Sequence, residues 1–336
     1  MAYTTINKGS LYMNTVLYVG NNATNVITGV GFQPDLVWLK DRVNANSHNL
    51  YDAVRGTTKA LISNATNAEI TRATGLTSFD SDGFTIGSYG GNNESAGNVG
   101  WSWKAGGTAS SNTDGDITSS VSANTTSGFS VVSFTGTGAN ATVGHGLGVA
   151  PKMIIVKNRS AVTHWMVGCD SIAWTNYLVL SLTQESISDS QVWNNTAPTS
   201  NVFSVGVASP SNGSGNNLIA YCFAEKKGFS KFGSYAGNGS TDGTFVYTGF
   251  KPAFVMVKRT DSVNDWCLYD GTRDTYNVVQ DKLQPNQSSA ESNDSSMDFV
   301  SNGFKFRFAG GNFNGSGGTY IYMAFAENPF VTSGGT

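Results

Sequence analysis

The sequence predicts an all-β protein built from three tandem, related β-sandwich units. Three observations predict it. One phrase is written three times: GFQPDLVWLKDR (31–42), GVAPKMIIVKNR (148–159) and GFKPAFVMVKRT (249–260). Its prolines, Pro34, Pro151 and Pro252, are separated by 117 and 101 residues, and Lys40, Lys157 and Lys258 keep the same offsets. Self-similarity of this kind marks an array of units. The second observation is composition: charged residues make up 13% and aromatics 12%, with 40 glycines. That charge is about half the usual globular share of ~25%. Turn-forming Gly, Ser, Thr and Asn take its place, and the aromatics argue against disorder. The third is spacing: short apolar or alternating runs lie between turn clusters, and neither NAEITRATGL nor the region around DAVRGTTKALIS holds a helical stripe, leaving room for a turn or two at most.

The first unit opens with LYMNTVLYVGNN, where alternation reads as a strand. The Pro-to-Lys strand follows. Leu36, Trp38 and Lys40 face one way and Val37 and Leu39 the other, and both sets are apolar up to the lysine. The strand is therefore placed centrally, covered on both faces, by an internal layer or by a neighbouring chain as in a homotrimer. The lysine stem lies on apolar surface and carries its ammonium to water or a carboxylate. A second strand (HNLYD, HWMVGCD, DWCLYD), a Phe-containing strand (Phe84, Phe203, Phe304) and an aromatic closing strand (Trp103, Phe223, Phe325) complete each unit. Short strands at this spacing read as a sandwich of jelly-roll or immunoglobulin-like kind. The units are 1–104, 128–227 and 228–336. Residues 105–127, poor in apolar side chains, read as a flexible linker, with units 2 and 3 packed as a rigid pair.

Net charge is −3 without a basic block, which gives no reason to expect nucleic acid. No apolar run approaches the ~18 residues of a membrane span, so no membrane insertion is expected. Cys169, Cys222 and Cys267 lie at non-equivalent places and read as reduced thiols. His145 and His164 lack partner spacing for a metal. TDGD (113–116) and DSDG (80–83) lack the spaced glutamate of a calcium loop. No metal, no cofactor and no catalytic set is expected, so the chain does not read as an enzyme. Two recurring groups are candidates for ligand contact. Asp52 and Arg55 match Asp270 and Arg273 as Asp-x-x-Arg, with Cys169 at the aspartate place of unit 2. They read as a polar grip on a sugar or subunit, or as an ion pair pinning a loop. His48, Trp165 and Trp266 share one position and read as a stacking platform or as the end of a core.

The phrases LYDAVRGTTK, LTSFDSDGFTIGS, VGWSWKAGG, GHGLGVAPKMIIVKNR and GTYIYMAFAENPF resemble a repeat family found in virion proteins of marine tailed phages, a domain of unknown function in tail-fibre-like and other structural proteins. The resemblance runs from AYTTI to ENPF. It implies a particle component, located in the virion, with tail or capsid proteins as partners. The chain has no collagen-like or coiled-coil stalk. Three readings follow: an adhesin at a tail fibre or tail tip meeting a host surface polysaccharide, a head decoration or adaptor protein, and a glycan depolymerase.

Overall fold

The computed structural model describes residues 4–328; the ends of the AYTTI and ENPF phrases lie outside them. Each unit has one sheet with the Pro-to-Lys strand inside it, antiparallel to the closing strand on one side and the second strand on the other. In unit 1 these are Leu36–Asp41, Gly97–Trp103 and Asn49–Asp52. In unit 2 they are Met153–Asn158, Asn217–Phe223 and Met166–Cys169. In unit 3 they are Pro252–Arg259, Thr319–Ala326 and Trp266–Asp270. A second sheet carries the Phe strand of each unit, Gly83–Ile86, Val202–Val205 and Gly303–Phe306; it is the smaller of the two in units 1 and 2 and equal to the first, at four strands, in unit 3. The protein is all-β, and its helices are single turns such as Gly90–Asn93 and Ser209–Asn212. The stretches left as turns in unit 1 form short strands, Lys59–Ile62 and Ile70–Thr71.

Alternation along the central strand assigns its two faces. Val37 and Leu39 pack with Phe84 in a core private to unit 1. Ile154 and Val156 do the same with Phe203 in unit 2. Leu36 and Trp38, Met153 and Ile155, and Phe254 and Met256 enter one core shared by all three units. At its centre Trp103, Phe223 and Phe325 form a triangle, with ring centroids 6.5, 6.0 and 6.2 Å apart. These are the same closing-strand position three times, so a pseudo-threefold axis passes between them. The second cover of the central strand comes from sister units of the same chain.

Backbone bonds repeat around this axis. Glu69 N donates to Arg159 O, Ser186 N to Thr260 O and Glu291 N to Arg42 O, each at 2.8 Å. Unit 1 thus meets unit 2, unit 2 meets unit 3, and unit 3 returns to unit 1. The ring is closed. This corrects the expectation of a loosely attached first unit beside a rigid pair. The expected linker 105–127 is also corrected. It contains strands Ser110–Asn112 and Ser119–Asn124, which extend the larger sheet of unit 2 beyond Phe129–Thr135. Its apolar positions are few because these are outer strands, yet Ile117 and Val121 are buried.

Candidate functional site

All seven residues singled out for ligand contact lie inside the protein, where two units meet. Their side chains are spent on one another, which corrects the reading of an open grip or stacking platform. Trp165 Nε1 of unit 2 donates to the Ile62 carbonyl of unit 1 at 2.8 Å. Trp266 Nε1 of unit 3 donates to the equivalent Val179 carbonyl of unit 2 at 3.0 Å. His48 is the third member, fully buried. It accepts from Trp38 Nε1 through Nδ1 at 2.9 Å, and its Nε2 is turned toward the Gln284 backbone of unit 3 without full hydrogen-bond geometry. Burial, reinforced by the Lys40 charge, drives its pKa far below the usual 6.5, so the imidazole is neutral.

Asp52 and Arg55 form a buried ion pair, and Tyr221 of unit 2 donates its hydroxyl to Asp52 Oδ2 at 2.8 Å. Glu69 bridges Arg55 of its own unit, at 3.1 Å, and Arg159 of unit 2, at 2.8 Å. Burial pushes Glu69 up, but its bonds from Arg159 and Arg55 outweigh it and leave the pKa below the usual carboxylate value. The same construction closes the ring. Asp270 pairs with Arg273 at 2.5 Å and accepts from Trp101 Nε1 of unit 1 at 2.9 Å. Glu291 bridges Arg273, at 2.8 Å, and Arg42 of unit 1, at 2.5 Å.

Between units 2 and 3 the whole set changes together. The five places hold Cys169 for Asp52, Ile172 for Arg55, Ser186 for Glu69, Thr260 for Arg159 and Met323 for Tyr221. A charge taken out of water is tolerated only when its partners come with it, so losing one member favours losing all. The replacement is therefore concerted, and Asp-x-x-Arg belongs to unit assembly. Cys169 is a buried free thiol, with burial first among the causes that push its pKa up to about 12.

The three lysines end in backbone carbonyls, where a carboxylate or water was expected. Lys40 Nζ donates to Asp41 O at 2.5 Å, Lys157 Nζ to Asn158 O at 2.7 Å and Lys258 Nζ to Arg259 O at 2.6 Å. Lys157 and Lys258 also reach the preceding unit, at Thr66 O and Thr183 O. Burial lowers each to about 8.

A further set was not singled out in the sequence. Asn93, Asn212 and Asn314 are buried amides at equivalent loops before the closing strands. Asn212 Nδ2 donates to Ala139 O (2.6 Å) and Gly206 O (2.7 Å), and its Oδ1 accepts from Thr137 N (2.8 Å). Asn93 and Asn314 repeat this on Ala23 and Gly87 and on Ser240 and Phe308. The NGSG phrase at 212–215 and 314–317 is the visible signal, but unit 1 writes Asn93 in GGNNES. The Asp/Gly turns hold themselves: Asp82 accepts from Gly29 N and Gly31 N, and Asp116 from Thr142 N. Among the described residues no group of three His, Cys, Asp or Glu could hold a metal, and no helix is long and apolar enough to cross a membrane.

On the outside the three units are unequal. Among the described residues the large exposed aromatic side chains are Phe245, Tyr247, Tyr276 and Phe308, all in unit 3, with Tyr276 86% and Tyr247 58% exposed. A cavity of about 370 Å³ opens beside Tyr276, between unit 3 and the opening strand of unit 1. Fold and geometry together define a closed β scaffold whose recurring charged side chains hold its units to one another. The chain belongs to the family described as a domain of unknown function (DUF7483), which it matches over residues 8–329, all three units in one match. No curated protein matches it.

Proposed function

We propose that the protein is a non-catalytic structural component of a tailed-bacteriophage particle, its units being tandem sandwiches of jelly-roll or immunoglobulin-like kind. It stands at the particle surface as a tail-fibre or tail-tip adhesin that contacts a host surface glycan. The observation that carries this reading is the confinement of large exposed aromatic rings, among the described residues, to unit 3. Such rings cost solubility, are not needed by the fold of the other two units, and suit stacking on the apolar face of a sugar. The interior supports a non-enzymatic role, because the charged residues that repeat are enclosed and paired. The resemblance to virion proteins supplies the particle.

A second reading, a head decoration or adaptor protein bound to other virion subunits, is favoured by the pseudo-threefold ring, which matches the symmetry of threefold positions on a shell. Purified particles decide. The adhesin reading expects the chain at tail-like copy number, with antibody against it blocking adsorption to the host. Copies in the tens to hundreds, with adsorption unaffected, select the decoration reading. Particles that lack the chain refute both.

A further inference from the structure

Internal repetition supplies its own reference for what the fold requires. The paired positions Leu50 and Leu61 are eleven residues apart, and so are Val167 and Leu178. The equivalent Leu268 and Leu283 are fifteen apart. Unit 3 therefore carries four additional residues after its second strand, in the loop 271–278. Packing of the ring does not call for them, since Arg273 repeats the contacts of Arg55 from the same distance beyond its aspartate. The longer loop instead forms one wall of the cavity of about 370 Å³, within the ~300–1,000 Å³ usual for small-ligand pockets.

We infer that this cavity binds a neutral saccharide, with the Tyr276 ring stacking on the sugar and the Asp274 carboxylate accepting from its hydroxyls. The inference rests on the glycan-contact reading above and assigns it a place. Met13, Val279 and Phe299 give the lining an apolar part, and Thr15, Thr272 and Thr275 give it hydroxyls. Among the described residues those three hydroxyls make no hydrogen bond within the protein, so they are available to a ligand. Asp274 is held in place, because its Oδ2 accepts from Gln280 N at 2.9 Å and Asp281 N at 2.6 Å, while Oδ1 is left to accept. A carboxylate fixed in this way takes hydroxyl protons in a defined direction without ordering cost. Lys251, the cation of the lining, is paired with Glu327 at 2.6 Å. With that charge satisfied and the Asp274 carboxylate in the lining, the site disfavours an anionic sugar. Tyr276, the most exposed large hydrophobic side chain among the described residues, gains cover when a ring lies on it.

The test uses the whole chain with methyl glycosides of glucose, galactose and mannose and with N-acetylglucosamine, read by saturation-transfer NMR and calorimetry at millimolar sugar. At least one is expected to bind. Tyr276→Ala and Asp274→Asn are each expected to weaken that binding tenfold or more at unchanged melting temperature, because neither side chain packs a core. The double variant Phe245→Ser/Tyr247→Ser is expected to bind as the parent does. Binding that survives Tyr276→Ala within twofold, or that disappears with Phe245 and Tyr247, overturns this site and leaves the glycan reading standing. If no sugar of the panel binds the parent chain, the site is overturned, and particle adsorption in the presence of antibody judges the glycan reading separately.

Discussion

Exchanging one interface for another inside the same molecule separates the cost of a broken ion network from that of an absent one. Asp52→Ala removes the acceptor for Arg55 N, Arg55 Nε and the Tyr221 hydroxyl, leaving a fully buried guanidinium with Glu69 as its remaining carboxylate. Breaking a buried pair costs about 3–5 kcal/mol. Summed singly, loss of Asp52, Arg55 and Glu69 comes to roughly 9 kcal/mol or more on that scale, most of the stability of an ordinary domain. The five-fold variant Asp52→Cys, Arg55→Ile, Glu69→Ser, Arg159→Thr, Tyr221→Met installs the set found between units 2 and 3. It is expected to fall within about 2 kcal/mol of the parent, because no charge is left stranded. Urea unfolding followed by tryptophan fluorescence reads both variants, and an unchanged slope licenses the comparison. A five-fold variant less stable than Asp52→Ala, or an Asp52→Ala change costing under about 1 kcal/mol, refutes the concerted reading.

Asn212→Ala strips a buried loop of three hydrogen bonds of 2.8 Å or shorter and should cost about 2–4 kcal/mol in the same assay. Trp165→Phe keeps an aromatic ring but is smaller and loses the 2.8 Å bond to Ile62 O, for about 2–3 kcal/mol, with faster amide exchange at the contact of units 1 and 2. Trp266→Ala empties a fully buried site and should cost about 3–5 kcal/mol; a melting temperature left unchanged would return Trp266 to the surface. For pH, the folded state keeps His48 neutral far below 6.5 while the unfolded chain binds a proton there. Stability is therefore complete above about pH 7 and falls as pH drops through 6.5, by about 2 kcal/mol at pH 5 from this group. His48→Trp, which copies the other two units, is expected to flatten that acid limb, and the urea midpoint at pH 7 and pH 5 checks it.

The repeated phrase, the central place of the Pro-to-Lys strand and the equivalent strands of Phe84, Phe203 and Phe304 were legible because apolar alternation and proline register are local properties of a chain. The destination of Asp52, Arg55 and Trp165 was not. A residue retained across copies because it touches the next copy looks, in one dimension, the same as one retained for a ligand. Tyr221 stands 169 residues from Asp52 and Ile62 stands 103 from Trp165, and they become partners only when the ring closes. Strands Ser110–Asn112 and Ser119–Asn124 were hidden for another reason: an outer strand needs few apolar side chains and so reads as spacer. The cavity beside Tyr276 depends on four residues of loop length, visible only once strand pairing shows which leucines correspond.

The aromatic triangle of Trp103, Phe223 and Phe325 has a bearing on valency. A trimer of identical chains must show each of its loops three times, and any change to one is made to all. Here the subunits are joined in a single polypeptide, so Tyr276 and its lengthened loop appear once per molecule. Each molecule then offers a single copy of this loop, and on the adhesin reading proposed above firm attachment comes from the number of molecules arrayed side by side, not from the strength of any one of them.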